Sequence, residues 1–188
     1  MLGRKVFTLI ELIVVIAIIA ILAAIIAPNV FRAIEKAKIT RAIADFKSIK
    51  TACQSFYADT GEWPHVSRVQ NSGLLLDPGG LLGWDGPYLE GSVGMHPWAG
   101  SYQISSNSDF RPQNGMNELS LEFEDYCYPR GPNYACILPI DSARKIDSMF
   151  DDGDERAGVF QKTGTGDYNL LLYRDVCASL PPPGGHCF

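Results

Sequence analysis

Residues 7–31 begin Phe7-Thr8-Leu9-Ile10-Glu11 and then run from Leu12 to Phe31 without another charged side chain. A helix needs roughly 20 apolar residues to cross the hydrocarbon core of a bilayer, so this stretch has the length of a span. The carboxylate of Glu11 stands at its mouth. Ionised groups at membrane depth are costly and therefore mark a partner or a function. Arg4 and Lys5 form a short basic leader before it, and Pro28 falls near its end. A cleaved secretory signal fits less well, because it ends in an A-x-A site. Ala17, Ala20, Ala23, Ala24 and Ala27 never fall two apart. A plain membrane anchor fits the length but gives no reason for Glu11.

The order of basic leader, Phe-Thr-Leu-Ile-Glu, apolar helix and proline resembles the N-terminal module of type IV pilins and of the pseudopilins of type II secretion. That resemblance implies a leader at 1–6, removed by a prepilin peptidase between Val6 and Phe7. A transmembrane and assembly helix then occupies 7–31. It assigns assembly roles to Glu11 and Pro28, with the Glu11 carboxylate pairing to the α-amino group that processing frees on a neighbouring subunit. Pro28, which lacks an N–H, is expected to kink or locally open the helix. The leader departs from the family at one place. Prepilin peptidases usually cut after glycine, and here that residue is Val6; the nearest glycine is Gly3. Cutting there would move the glutamate from the fifth mature position to the eighth.

Past Pro28 the pattern becomes amphipathic. Ile39, Ile43, Phe46, Ile49, Cys53 and Phe56 recur at intervals of three and four, with Arg41, Asp45, Lys47 and Lys50 on the other faces. This predicts a second helical half, 32–61, that is the spine of a globular head at 62–188. Gly61 and Pro64 end it. The closing stretch Phe56-Tyr57-Ala58-Asp59-Thr60-Gly61-Glu62-Trp63-Pro64 resembles the F/Y-x-x-D-x-G-x-Y/W-P segment of pseudopilins. Residues 65–100 read as a long irregular region of Gly-Pro and Pro-aromatic turns. Its Trp84-Asp85-Gly86-Pro87-Tyr88-Leu89 and His96-Pro97-Trp98-Ala99-Gly100 resemble loops of the major pseudopilin, with His96 where that family has Asp. These aromatics are expected to be core.

Strands are predicted over Tyr102–Ser105, Leu119–Glu124, Val159–Lys162 and Tyr168–Tyr173. Leu119–Glu124 alternates strictly, predicting one buried and one wet face. Thr163–Asp167 suits a hairpin between the last two. The expected fold is α+β: a long N-terminal helix whose C-terminal half packs against a small antiparallel sheet, the pilin fold.

Charge is divided unevenly. Residues 1–50 hold eight Lys/Arg against three acids, a net of +5, and residues 51–188 hold eight against eighteen, a net of −10. An acidic head disfavours nucleic acid, whose phosphates need positive surface. Counting basic residues around the span favours a cytoplasmic head, whereas the resemblance and the cysteines place it outside. Cys127 and Cys136 bracket one turn-rich segment, and Cys177 and Cys187 another. Two local disulfides are expected, with Cys53 left as a buried thiol. Asp151, Asp152 and Asp154 around Gly153 form a calcium-like cluster without EF-hand spacing; a solvated acidic turn is the expected reading, and no cofactor is expected.

The resemblance to pilins and pseudopilins implies a structural subunit and not an enzyme. It is expected to polymerise as a helical homopolymer into a type IV pilus or a type II secretion pseudopilus. The partners this implies are copies of itself, the prepilin peptidase and an inner-membrane assembly platform. The expected course runs from the inner membrane to a periplasmic or extracellular filament. The alternatives are a minor pilin acting as an adhesion or uptake receptor, and a membrane-anchored extracytoplasmic protein that does not polymerise.

Overall fold

The computed structural model describes residues 8–65, 67–91, 93–106, 118–124, 138–151, 153–154, 158–162 and 167–173. Helix α1 (Leu9–Thr60) is a single α-helix of 52 residues and continues through Pro28. The chain divides into two compact units, residues 1–37 and 38–188. The first is helical over its described part, and its side chains up to Ile34 are exposed.

The second unit is built on the amphipathic stripe of α1. Ile39, Phe46, Ile49, Cys53 and Phe56 are buried as expected, joined by Ala42 and Ala52, and Ile43 is partly buried. The stripe ends where the sequence places its end. The Thr60 hydroxyl donates to the Phe56 carbonyl at 2.7 Å. Gly61 takes φ 76° and donates its N–H to the Tyr57 carbonyl at 2.8 Å. A left-handed residue just past the last turn satisfies a carbonyl that would otherwise be orphaned.

Against this stripe lies a five-stranded sheet of β1 (Ser67–Arg68), β2 (Ser101–Ser106), β3 (Leu119–Glu124), β4 (Phe160–Lys162) and β5 (Tyr168–Tyr173). Its order is β1-β2-β3-β5-β4 and every pairing is antiparallel. Tyr102, Ile104, Leu121, Phe123, Phe160, Tyr168 and Leu170 belong to one core cluster with the α1 stripe. Two tyrosine hydroxyls tie the layers: Tyr173 donates to the Lys50 carbonyl at 2.7 Å, and Tyr102 to Asp45 Oδ2 at 3.2 Å. Trp63 is sandwiched between Tyr57 and Tyr173, with ring centroids 4.5 and 4.6 Å away.

The sheet differs from the sequence reading in an added edge strand, β1, and in the burial of β3. Leu119–Glu124 has no fully wet face: Ser120 is as buried as Leu121, and Asn169 of β5 is buried beside it. Glu122 and Glu124 on the same side are half-buried, so the polar positions of β3 run from buried to partly wet. The region 65–100 is irregular as expected, apart from β1 and a 3₁₀ turn (Val69–Asn71). The expected hairpin turn at 163–166 lies outside the described residues; the strands on either side of it do pair antiparallel.

Helix α2 (Ile140–Phe150) has no counterpart in the sequence reading. It packs through Ala143 and Ile146, and Phe150 meets Phe46 edge-on at 5.0 Å. Its spacing of Ile140, Ala143, Ile146 and Phe150 is helical. Polar residues occupy half its buried positions (Ser142 and Asp147), which blurs an apolar stripe.

Candidate assembly surface

Over its described residues the first unit is a helix with apolar side chains exposed all round. Leu9, Leu12, Ile16, Ile19, Ile26 and Phe31 all stand open, and none of its most hydrophobic 18-residue window is buried. Single exposed hydrophobics are ordinary, but a contiguous apolar surface of this extent marks a site of contact with lipid or protein. By length and composition the helix is able to cross a membrane.

At its start, Glu11 makes a local structure. The Thr8 backbone N–H and hydroxyl donate to Glu11 Oε2 at 2.8 and 2.7 Å, and the Glu11 N–H donates to Thr8 Oγ1 at 3.3 Å. This is a capping box, in which the first side chain of the helix and the third residue after it satisfy each other's unpaired backbone donors. Glu11 therefore has two roles available. Its Oε2 closes the helix start, while Oε1 takes no part in the box. The signal was in the sequence: threonine three residues before glutamate, ahead of an apolar run, is the pattern of a capping box. Val6 and Phe7 lie outside the described residues. So do Cys127, Cys136, Cys177 and Cys187.

Cys53 is fully buried, and burial pushes its thiol up to about 12, so it is an inert core thiol. Of the acidic cluster, Asp151 is engaged structurally, its Oδ2 accepting from the Val159 N–H at 2.5 Å. A Cβ on Gly158 would overlap that carboxylate, so glycine there permits the approach. Asp154 is exposed and Asp152 lies outside the described residues. Among the described residues, no three His, Cys, Asp or Glu side chains gather as metal ligands do.

The head carries one polar centre that sequence reading treated only as a departure from a family pattern. His96 is buried among Trp98, Tyr102 and Phe123. Its Nδ1 lies 3.3 Å from the Trp98 N–H, which donates to it, so the proton sits on Nε2 and is donated to the Glu124 carbonyl at 3.0 Å. Burial pushes the imidazole below its ordinary value, with the Glu124 carbonyl and carboxylate opposing. A neutral histidine thus pins the 96–100 turn to the end of β3. Gly100 permits this, since a Cβ there would overlap both the ring and the Glu124 carbonyl. Upstream, Trp84 Nε1–H donates to the Gly73 carbonyl at 2.8 Å, and the Tyr88 ring meets Phe56 at 5.6 Å. Both aromatic loops serve the core, as expected.

The family described as "PilW, C-terminal" matches residues 33–117. Type II secretion system core protein G of Xanthomonas campestris pv. campestris is 24% identical over 134 residues, which cover 65% of this chain and 91% of that protein. The solved major type IV pilin PilA1 of Clostridium difficile matches with a TM-score of 0.46 at 19% identity, covering 74% of this chain and 97% of that one. The resemblance to type IV pilins and pseudopilins that residues 7–11 carry is borne out by the two sequence matches.

Proposed function

We propose that this chain is a structural filament subunit, and not an enzyme, that polymerises through residues 7–31 into a type IV pilus or a type II secretion pseudopilus. The observation that carries the reading is the helix from Leu9 to Ile34, apolar and exposed on every side, with Glu11 at its head. Such a surface is stable in lipid, or in a bundle of identical helices that buries it. Before assembly the helix rests in the inner membrane, where a prepilin peptidase removes residues 1–6. An assembly platform then extracts the subunit into a periplasmic or extracellular filament. In the filament the Glu11 carboxylate meets the new α-amino group of a neighbouring subunit, so that its charge is compensated only on correct docking.

The capping box makes this testable in a way that deleting the side chain does not. Glutamine serves the box as well as glutamate does, so Glu11→Gln keeps the helix start and removes only the charge. The expected result is a folded, membrane-inserted subunit that forms no filaments by electron microscopy. Thr8→Ala, which breaks the box but leaves the charge, should still assemble. Normal filaments from Glu11→Gln would remove charge pairing from the mechanism. N-terminal sequencing of purified filaments reads the processing step: Phe7 supports cleavage after Val6, Arg4 moves the site to Gly3, and Met1 means assembly without processing.

A further inference from the structure

On the face of the sheet turned away from α1, β3 and β5 set Glu122 and Asn169 directly opposite each other. Side chains so placed have Cβ atoms about 4.5–5.5 Å apart and meet readily. Asn169 is fully buried, and among the described residues neither its Oδ1 nor its Nδ2 has a hydrogen-bond partner. Folded proteins seldom leave both ends of a buried amide unmet. Gln103 of β2 is the other neighbour of Glu122 in register, and Gln161 of β4 is that of Asn169.

Two further carboxylates act on Glu122. Glu124, two residues along β3, is paired with Arg68 at 3.3 Å and accepts from the Ser101 hydroxyl. Asp167, just before β5, adds a second carboxylate. The ammonium of Lys162, an exposed residue of β4, lies over the Tyr168 ring, 5.6 Å from its centroid. Both carboxylates raise the cost of a charge on Glu122.

A carboxylate accepts from the amide Nδ2 but offers nothing to Oδ1; a carboxylic acid does both. We propose that Glu122 and Asn169 form a proton-dependent clasp between β3 and β5, the acid proton donated to Asn169 Oδ1 while its carbonyl oxygen accepts from Nδ2. Burial first, then Asp167 and Glu124, pushes Glu122 up to about 7, consistent with the proton being held. The folded value lies above the unfolded value of 4.5. The clasp therefore contributes fully below about pH 4.5, and its contribution is lost as pH rises through about 7.

The test uses the full chain in non-ionic detergent micelles. Glu122→Gln places a carboxamide where the acid stands, able to make the same two bonds at any pH. It is expected to melt above the wild type at pH 8 by about 3 °C or more, with the gap closing by about pH 4.5. Carbon-detected NMR should place the Glu122 midpoint near 7, with the Asn169 side-chain amide resonances moving at the same midpoint. Asp167→Asn should lower that midpoint. A Glu122 midpoint below 5.5, Asn169 resonances indifferent to it, or Glu122→Gln melting at or below the wild type at pH 8 would each overturn the clasp.

Discussion

Replacing His96 by phenylalanine separates the packing of this ring from its hydrogen bonds. Phenylalanine keeps the aromatic contacts with Trp98, Tyr102 and Phe123, whose centroids lie 6.1, 5.8 and 5.7 Å away. It leaves the Trp98 N–H without its acceptor at 3.3 Å and the Glu124 carbonyl without its donor at 3.0 Å. Each buried orphan costs about 1–3 kcal/mol, and relieving the buried imidazole returns part of that. The net is about 2–3 kcal/mol, or a fall in Tm of about 4–12 °C for a chain of this size. The pH dependence is the sharper readout. The folded imidazole lies below its unfolded value of 6.5 because burial disfavours its charged form. The unfolded chain thus binds the extra proton, and this contribution to wild-type stability is lost as pH falls below about 6.5, by up to about 1.4 kcal/mol per pH unit. The variant lacks that loss, so thermal unfolding followed by circular dichroism between pH 7.5 and 5 should show the gap narrowing on acidification. A gap that is constant, or that widens, would refute the neutral, doubly bonded histidine. Glu122 acts with the opposite sign over an overlapping range, so the two partly cancel in the wild type. Their single variants should show pH slopes of opposite sign.

Two further outcomes are open to direct measurement. Ala99 holds φ 71°, a left-handed conformation that costs an L-residue about 1–2 kcal/mol. Ala99→Gly should therefore stabilise the head by about 0.5–1 kcal/mol after the extra chain entropy of glycine, and a lower Tm would refute that account. Non-reducing peptide mass spectrometry should link Cys127 to Cys136 and Cys177 to Cys187, while the buried Cys53 stays unmodified by thiol reagents until the head unfolds. A cross-link from Cys53 to any of the four would overturn that pairing.

What the sequence determines by itself is what depends on local order along the chain. The uncharged run after Glu11, the three-and-four stripe from Ile39 to Phe56, and the alternation of Leu119–Glu124 each follow from residue spacing. Each corresponds to an observed element. The capping box of Thr8 and Glu11 belongs to the same class, since its two members stand three residues apart. Contacts across the fold are different. That Ser120 and Asn169 are buried depends on tertiary packing, and no period in β3 or β5 encodes it. Helix α2 hides its inward side behind Ser142 and Asp147, polar residues whose burial comes from tertiary packing. The acceptor of the His96 Nε2 proton is a carbonyl 28 residues away along the chain. The upward shift of Glu122 comes from burial and from the carboxylates of Asp167 and Glu124, all of them set by the folded sheet. Spacing along the chain selects helices and strands; desolvation and charge, which set what a side chain can do, are properties of neighbours that only the folded chain assembles.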